Sequence, residues 1–213
     1  MSPPRVRAKN PRRPPAPLTF APDDVVSFTA ALWRIHRVAG AHPSAWDELR
    51  EYGPLPSMRW DPHPLPLGDH VGFGVSYAGS DVTTVVAESF QSRRVIALSG
   101  QQELVGWVPT RPLSLLNASS AWVLRNGASA SLHAAPKSTC RAWAQAIRAE
   151  RGDLDGLLVP STMTGKPMVV LFGPAASAFP ASPAFAEPLD TPLARALVVP
   201  AARELAWPAV RTS

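Results

Sequence analysis

The apolar residues of this chain fall in short, strand-length runs that do not alternate regularly with helices. This constrains the fold more than any single motif, because a doubly wound parallel sheet needs a helix between successive strands. "LWRIHRV" sets Leu32, Arg34 and His36 against Trp33, Ile35 and Arg37, the alternation of a strand. "GFGVSYAG", "RRVIALS", "ELVGWV", "DGLLVPS" and "PMVVLFG" read as further strands, the last two joined by the polar turn "TMTGK". Helical spacing appears in "SDVTTVVAESFQ", with Val82, Val85, Val86 and Phe90 on one side and Ser80 or Asp81 as cap. It appears again in "STCRAWAQAIRAERG", where Trp143, Ala146 and Ile147 share a face and Gly152 marks the stop. "APDDVVSFTAAL" predicts a short helix with Asp23 or Asp24 near its N-cap. "LARALVVPAAREL" predicts a strand and a short helix, and "SAWVLRNG" fits either state. No repeat of fixed period is present. The mixture predicts the α+β class.

Proline sets the boundaries. Residues 1–17, "MSPPRVRAKNPRRPPAP", have almost nothing to bury and are expected to form a disordered tail ahead of a single domain over 18–213. "GPLPSMRWDPHPLPLG", residues 53–68, reads as loop or extended chain, since proline cannot join a central ladder. The net charge of +5 at first suggests nucleic acid. Arg5, Arg7, Lys9, Arg12 and Arg13 supply five of the 21 bases; subtracting them leaves 16 bases against 16 acids. The basicity therefore belongs to the tail, which argues against a nucleic-acid-binding body.

Several function classes drop out. One cysteine, Cys140, allows no internal disulfide and no cysteine zinc cage. No apolar run approaches ~20 residues, and the N-terminus lacks the apolar stretch of a signal peptide, so a cytoplasmic protein that makes no membrane contact is expected. "GFG" at Gly72 and Gly74 lacks the third glycine of a dinucleotide fingerprint, Tyr77 standing in its place. "TGK" at 164–166 has no upstream P-loop glycine and is followed by Pro167. No G-x-S-x-G elbow occurs. His63 and His70, with Asp61 and Asp69, sit in a proline-rich loop without helical metal spacing, so no metal is expected.

Four pieces remain, in chain order: "LWRIHR" with Arg34, "SMRW" with Arg59, "SYAGSDVTTVVAESF" with Tyr77 and Glu88, and "DGLLVPSTMTGKPMVVLF" with Ser161. Each has an ordinary reading when taken alone. An arginine on an amphipathic strand usually faces solvent, a tyrosine at a strand end usually packs, and a serine before a turn usually makes that turn. Glu88 lies about 130° from the centre of the apolar stripe at ~100° per residue, which marks a surface acid. Trp33, Trp60, Trp107, Trp122 and Trp143 read as core or pocket wall, and His36 as structural.

Taken in order, the four pieces resemble the RES-domain family over roughly residues 30 to 175. Members show an early arginine on a strand, a "GRWN"-like segment, "YxAxS" with an "AxxE" helix, and a late "DGxxxPS" before an apolar strand ending in "LF". Glu88 follows Tyr77 by eleven positions, and this spacing together with the order makes the set more specific than any one motif. The chain departs from the family pattern at Met58, at Asp61 where asparagine is common, and in the insert "DPHPLPLGD".

The resemblance implies an ADP-ribosyltransferase-like mixed sheet core with flanking helices. It implies an enzyme that consumes NAD as its substrate, splitting the nicotinamide–ribose bond with water or inorganic phosphate. It also implies a toxin, neutralised by a small helical antitoxin of Xre type. Arg34 and Arg59 would then offer donor forks to the pyrophosphate, and Tyr77 a face for the cationic nicotinamide ring. Glu88 would steady the oxocarbenium-like ribose. Ser161 would bond the nicotinamide amide or hold Glu88 in place. Two alternatives stay open: a protein ADP-ribosyltransferase, and a non-enzymatic basic protein that uses its tail on nucleic acid.

Overall fold

The computed structural model describes residues 8–212. Eight strands form one mixed sheet. They are β1 (Val25–Phe28), β2 (Leu32–Arg37), β5 (Val75–Gly79), β7 (Gln102–Trp107), β8 (Leu113–Asn117), β9 (Gly156–Pro160), β10 (Pro167–Phe172) and β11 (Phe185–Pro188). Two small ladders join β3 (Tyr52–Gly53) to β4 (Gly68–Asp69), and β6 (Ile96–Leu98) to β12 (Ala209–Arg211). The helices are α1 (Val82–Phe90), α2 (Trp122–Arg125), α3 (Lys137–Glu150) and α4 (Pro192–Glu204). The order across the large sheet is β1-β8-β9-β10-β5-β2-β7-β11. Only β8 and β9 run parallel within it. This is the α+β class that the sequence predicts.

β10 lies inside the larger half, between β9 and β5. Its run "MVVLF" is apolar on both faces because both are covered. Val170 and Phe172 join the core beneath α2 and α3, with Trp122, Trp143 and Leu157. Val169 and Leu171 join the opposite core with Leu32, Trp107 and Ala178. A third core, between α1 and α4, holds Val86, Ile96, Leu104 and Val198.

The halves of the sheet meet at one backbone pair, Trp33 opposite Gly79. The indole of Trp33 also lies across Gly106, where any Cβ would sit 2.7 Å from the ring. At Gly79 a Cβ would stand 2.8 Å from Val85, so glycine lets α1 turn directly off β5. Beyond that single pair β2 and β5 diverge, and the end of β2 is left facing a cleft.

Three local expectations differ from the structure. "PDD" forms one 3-10 turn at Pro22–Asp24, and the chain continues as β1 rather than as a helix. Asp24 accepts from Ala21 N at 2.6 Å and pairs with Arg125, while Val25 and Val26 join the ladder with β8. "LARALVVPAAREL" is one helix, α4, with Pro200 inside it. Ala194, Val198 and Ala201 are buried at helical spacing, and that packing overrides the strand preference of the paired valines. Of the expected tail, residues 1–7 lie outside the described residues. From Asn10 the chain runs along the α3 side of the body. Asn10 Oδ1 accepts from Ser129 N at 3.0 Å, Trp143 Nε1 donates to Pro11 O at 3.0 Å, and Leu18 N donates to Glu150 at 2.9 Å.

Candidate active site

α1 begins at Asp81, whose carboxylate accepts from Thr84 N and from Thr84 Oγ1, each at 2.9 Å. The cap fixes the rotation of the helix and so the direction of Glu88 near its end. The turn after β9 is fixed just as firmly. Ser161 N donates to Lys166 O at 2.8 Å, and Gly165 N to Ser161 O at 3.0 Å. Thr164 Oγ1 lies 3.0 Å from Thr84 Oγ1, tying the turn to α1. Lys166 Nζ lies 3.6 Å from Asp81 and 3.4 Å from Glu204.

These two anchored elements bring Glu88 and Ser161 together. Ser161 Oγ accepts from Met163 N at 3.0 Å and Thr164 N at 3.1 Å. Its own proton is thereby directed outward, to Glu88 Oε1 at 2.7 Å. Thr162 N donates to the same oxygen at 3.0 Å, and Gln91 Nε2 to Oε2 at 3.0 Å. All of these donors are neutral, and among the described residues Glu88 has no ion-pair partner. The carboxylate is held in place, yet its charge is left available to a cation.

Arg34 is half-buried at the diverging end of β2. Its Nη1 donates to Trp46 O and Glu48 O, both at 3.0 Å. Burial lowers its pKa to about 10, against the pull of the Glu48 and Asp47 carboxylates, so it stays charged at neutral pH. Arg34 borders a cleft of about 380 Å³ together with Arg37, His42, Met58 and Ser89. Ser89, which follows Glu88 on α1, borders this cleft, whereas Glu88 and Ser161 do not line it.

Tyr77 and Arg59 are engaged elsewhere. The Tyr77 hydroxyl donates to Asp61 Oδ1 at 3.0 Å. Asp61 is fully buried and also accepts from Arg50 Nη2 at 2.6 Å and Leu55 N at 2.7 Å. Burial first, then the Asp61 carboxylate, pushes the Tyr77 pKa well above its usual value, although Arg50 opposes this. The phenol oxygen is therefore bound into the wall under the proline-rich loop. Arg59 donates to Ala135 O and lies 3.7 Å from Cys140 Sγ, against the start of α3. It holds loop to helix and does not border the cleft beside Arg34.

Sequence reasoning missed Thr162, Gln91, Arg37 and His42. Gln91 follows Glu88 by three positions, a helical neighbour that spacing alone could have flagged. Arg37 was hidden because strand alternation sets it opposite Arg34. It is the last residue of β2, where the sheet no longer confines a long side chain. His36, as expected, is structural: its ring bonds Ser44 O and Glu103, both at 2.9 Å. Among the described residues, no group of three or more His, Cys, Asp or Glu side chains could hold a metal ion. Nor is any described helix long and apolar enough to cross a membrane.

Comparisons agree with this architecture. The family described as RES domain matches residues 31–193. The crystal structure of the M. tuberculosis MbcT–MbcA toxin–antitoxin complex contains a chain that superposes with a TM-score of 0.55 at 17% identity. The match covers 82% of this chain and 92% of that one. No curated protein matches by sequence.

Proposed function

The chain belongs to the RES-domain family, and from that premise we propose that it is a toxin-like enzyme that consumes NAD by breaking the nicotinamide–ribose bond. One observation carries the proposal: the 2.7 Å bond by which Ser161 fixes the Glu88 carboxylate. As the glycosidic bond breaks, its electron pair leaves with the nicotinamide ring nitrogen, and positive charge develops on the ribose. Glu88, fixed by neutral donors, opposes that charge without reorganising. Ser161 and Thr162 keep the carboxylate aimed, and Arg34 meets the anionic part of the dinucleotide. Water then adds to give ADP-ribose and a proton, or inorganic phosphate adds to give the sugar phosphate.

The kinship with ADP-ribosyltransferases belongs to the same proposal, as does a small antitoxin of helical type. The antitoxin gains support from the similar fold found in a toxin–antitoxin complex. A cytoplasmic setting suits both NAD and the single buried thiol, Cys140.

The deciding experiment incubates the purified full chain with NAD, with and without phosphate, and follows nicotinamide by chromatography. Stoichiometric ADP-ribose identifies water as acceptor, and a phosphate-dependent product identifies phosphate. Label appearing in protein at the rate of NAD loss would replace both with protein modification. An absence of nicotinamide release under all conditions overturns the proposal.

A further inference from the structure

The cleft at the end of β2 is bordered by Arg34, Arg37 and His42 together with Ser44, Met58 and Ser89, and no carboxylate side chain lines it. Its volume of about 380 Å³ is within the usual range for a small-molecule site. Arg34 spends one guanidinium nitrogen on the Trp46 and Glu48 carbonyls. Arg37 and His42 are exposed, and among the described residues neither takes part in an ion pair. The segment between them is nonetheless shaped. Ser44 N donates to Arg37 O at 2.9 Å, and Val38 N to Gln101 O at 3.0 Å. Gly40 takes φ +100 at the turn, and a Cβ placed there would lie 3.7 Å from Arg37 Nη1. The backbone thus closes a loop that carries His42 back to the cleft containing Arg37.

We propose that Arg37 and His42 form, with Arg34, an anion subsite for the pyrophosphate of a dinucleotide, the part that the sequence assigned to Arg59. An arginine fork and an imidazole N–H match phosphate oxygens in donor geometry. Glu48 and Asp47 act on Arg34, and Glu103 bonds His36, but among the described residues none of these carboxylates lines the cleft, so a dianion meets the cationic side chains first. Ser89 of α1, the helix that carries Glu88, borders this cleft, so the subsite and the carboxylate share one helix. The naming of NAD as ligand rests on the function proposed above, but the anion subsite does not.

The test uses the full chain and the variants Arg37→Ala, His42→Ala, their double, and Arg37→Lys. ADP-ribose and inorganic pyrophosphate are titrated calorimetrically. KM is compared for NAD and for nicotinamide riboside, which lacks phosphate. Each alanine variant is expected to weaken ADP-ribose and pyrophosphate by roughly tenfold or more, with Arg37→Lys recovering part of the loss. KM for NAD should rise far more than KM for nicotinamide riboside. Both residues are exposed, so melting temperatures should match the wild type and exclude misfolding. A double variant that binds ADP-ribose as tightly as wild type overturns the subsite, even if NAD is still split. If pyrophosphate affinity falls with Arg37→Ala but no variant or wild type releases nicotinamide, the subsite stands and the enzymatic reading falls.

Discussion

Ser161 Oγ donates to Glu88 Oε1 at 2.7 Å across 73 residues of chain, joining the turn after β9 to the last turn of α1. Neither residue is distinctive in isolation. Their contact is what makes the carboxylate a fixed group rather than a mobile surface acid.

Removing each partner separates two roles. Glu88→Ala is expected to reduce nicotinamide release below detection. Ser161→Ala removes a hydrogen bond to a charged group, about 1.5–3 kcal/mol, and should lower kcat roughly ten- to a hundredfold. Steady-state kinetics with NAD check both, and an unchanged kcat in Ser161→Ala would make that bond structural only.

Asp61 is buried and accepts three hydrogen bonds, from Arg50, Tyr77 and Leu55 N, with His63 Nδ1 also 3.8 Å away. Asp61→Ala strips Arg50 and the phenol of their acceptor and is expected to cost about 3–5 kcal/mol. Asp61→Asn keeps the shape and should cost less. Urea denaturation followed by tryptophan fluorescence measures the difference.

Tyr77 should resist ionisation. Its pKa is raised in the fold, so below the unfolded value, about 10, the phenol is neutral in both states and stability is unaffected. Above that value the unfolded chain loses a proton that the folded chain keeps, and stability falls as pH rises. The chain has two tyrosines. In a Tyr52→Phe variant the tyrosinate absorbance near ~295 nm should therefore appear only with unfolding. Reversible titration of the native protein near the ordinary tyrosine value would contradict this placement.

Arg59 faces Ala135 O and Cys140 instead of the cleft. Arg59→Ala is expected to leave KM for NAD within about twofold and to lower stability by about 1 kcal/mol for the lost hydrogen bond. A large KM change with unaltered stability would return Arg59 to the binding site.

Asn10 and Pro11 supply hydrogen bonds to Ser129 and Trp143. Deleting residues 1–17 should lower the melting temperature by several degrees, a loss on the order of 1–3 kcal/mol. An unchanged melting curve would show that these contacts contribute nothing. Polyanion affinity measured on the same pair of proteins tests the nucleic-acid alternative, because tail-driven binding should vanish and weaken steeply with salt.

Much of the fold is written in local pattern. The Asp81 cap and the 82–85–86–90 spacing predict α1, the 143–146–147 face predicts α3, and the apolar runs predict β9 and β10. These elements obey rules that act over a few residues, where backbone sterics and side-chain periodicity decide. The misjudged stretches are those where distant packing outweighs local preference. Val25 and Val26 became a strand because β8 lies beside them, and Val198 and Val199 stayed helical because that face is buried. Asn10 found partners that no composition could announce.

The site divides along the same line. The order of the pieces carrying Arg34, Arg59, Tyr77, Glu88 and Ser161 along the chain sufficed to name the family. Which of them meet was decided by tertiary structure. Glu88 and Ser161 converge because the Asp81 cap and the Thr84–Thr164 bond lock helix to turn. The Tyr77 hydroxyl bonds Asp61, and Arg59 bonds Ala135 O beside Cys140. A hydrogen bond depends on distances of tenths of an ångström between residues far apart in the chain, and such distances exist only once the sheet has closed.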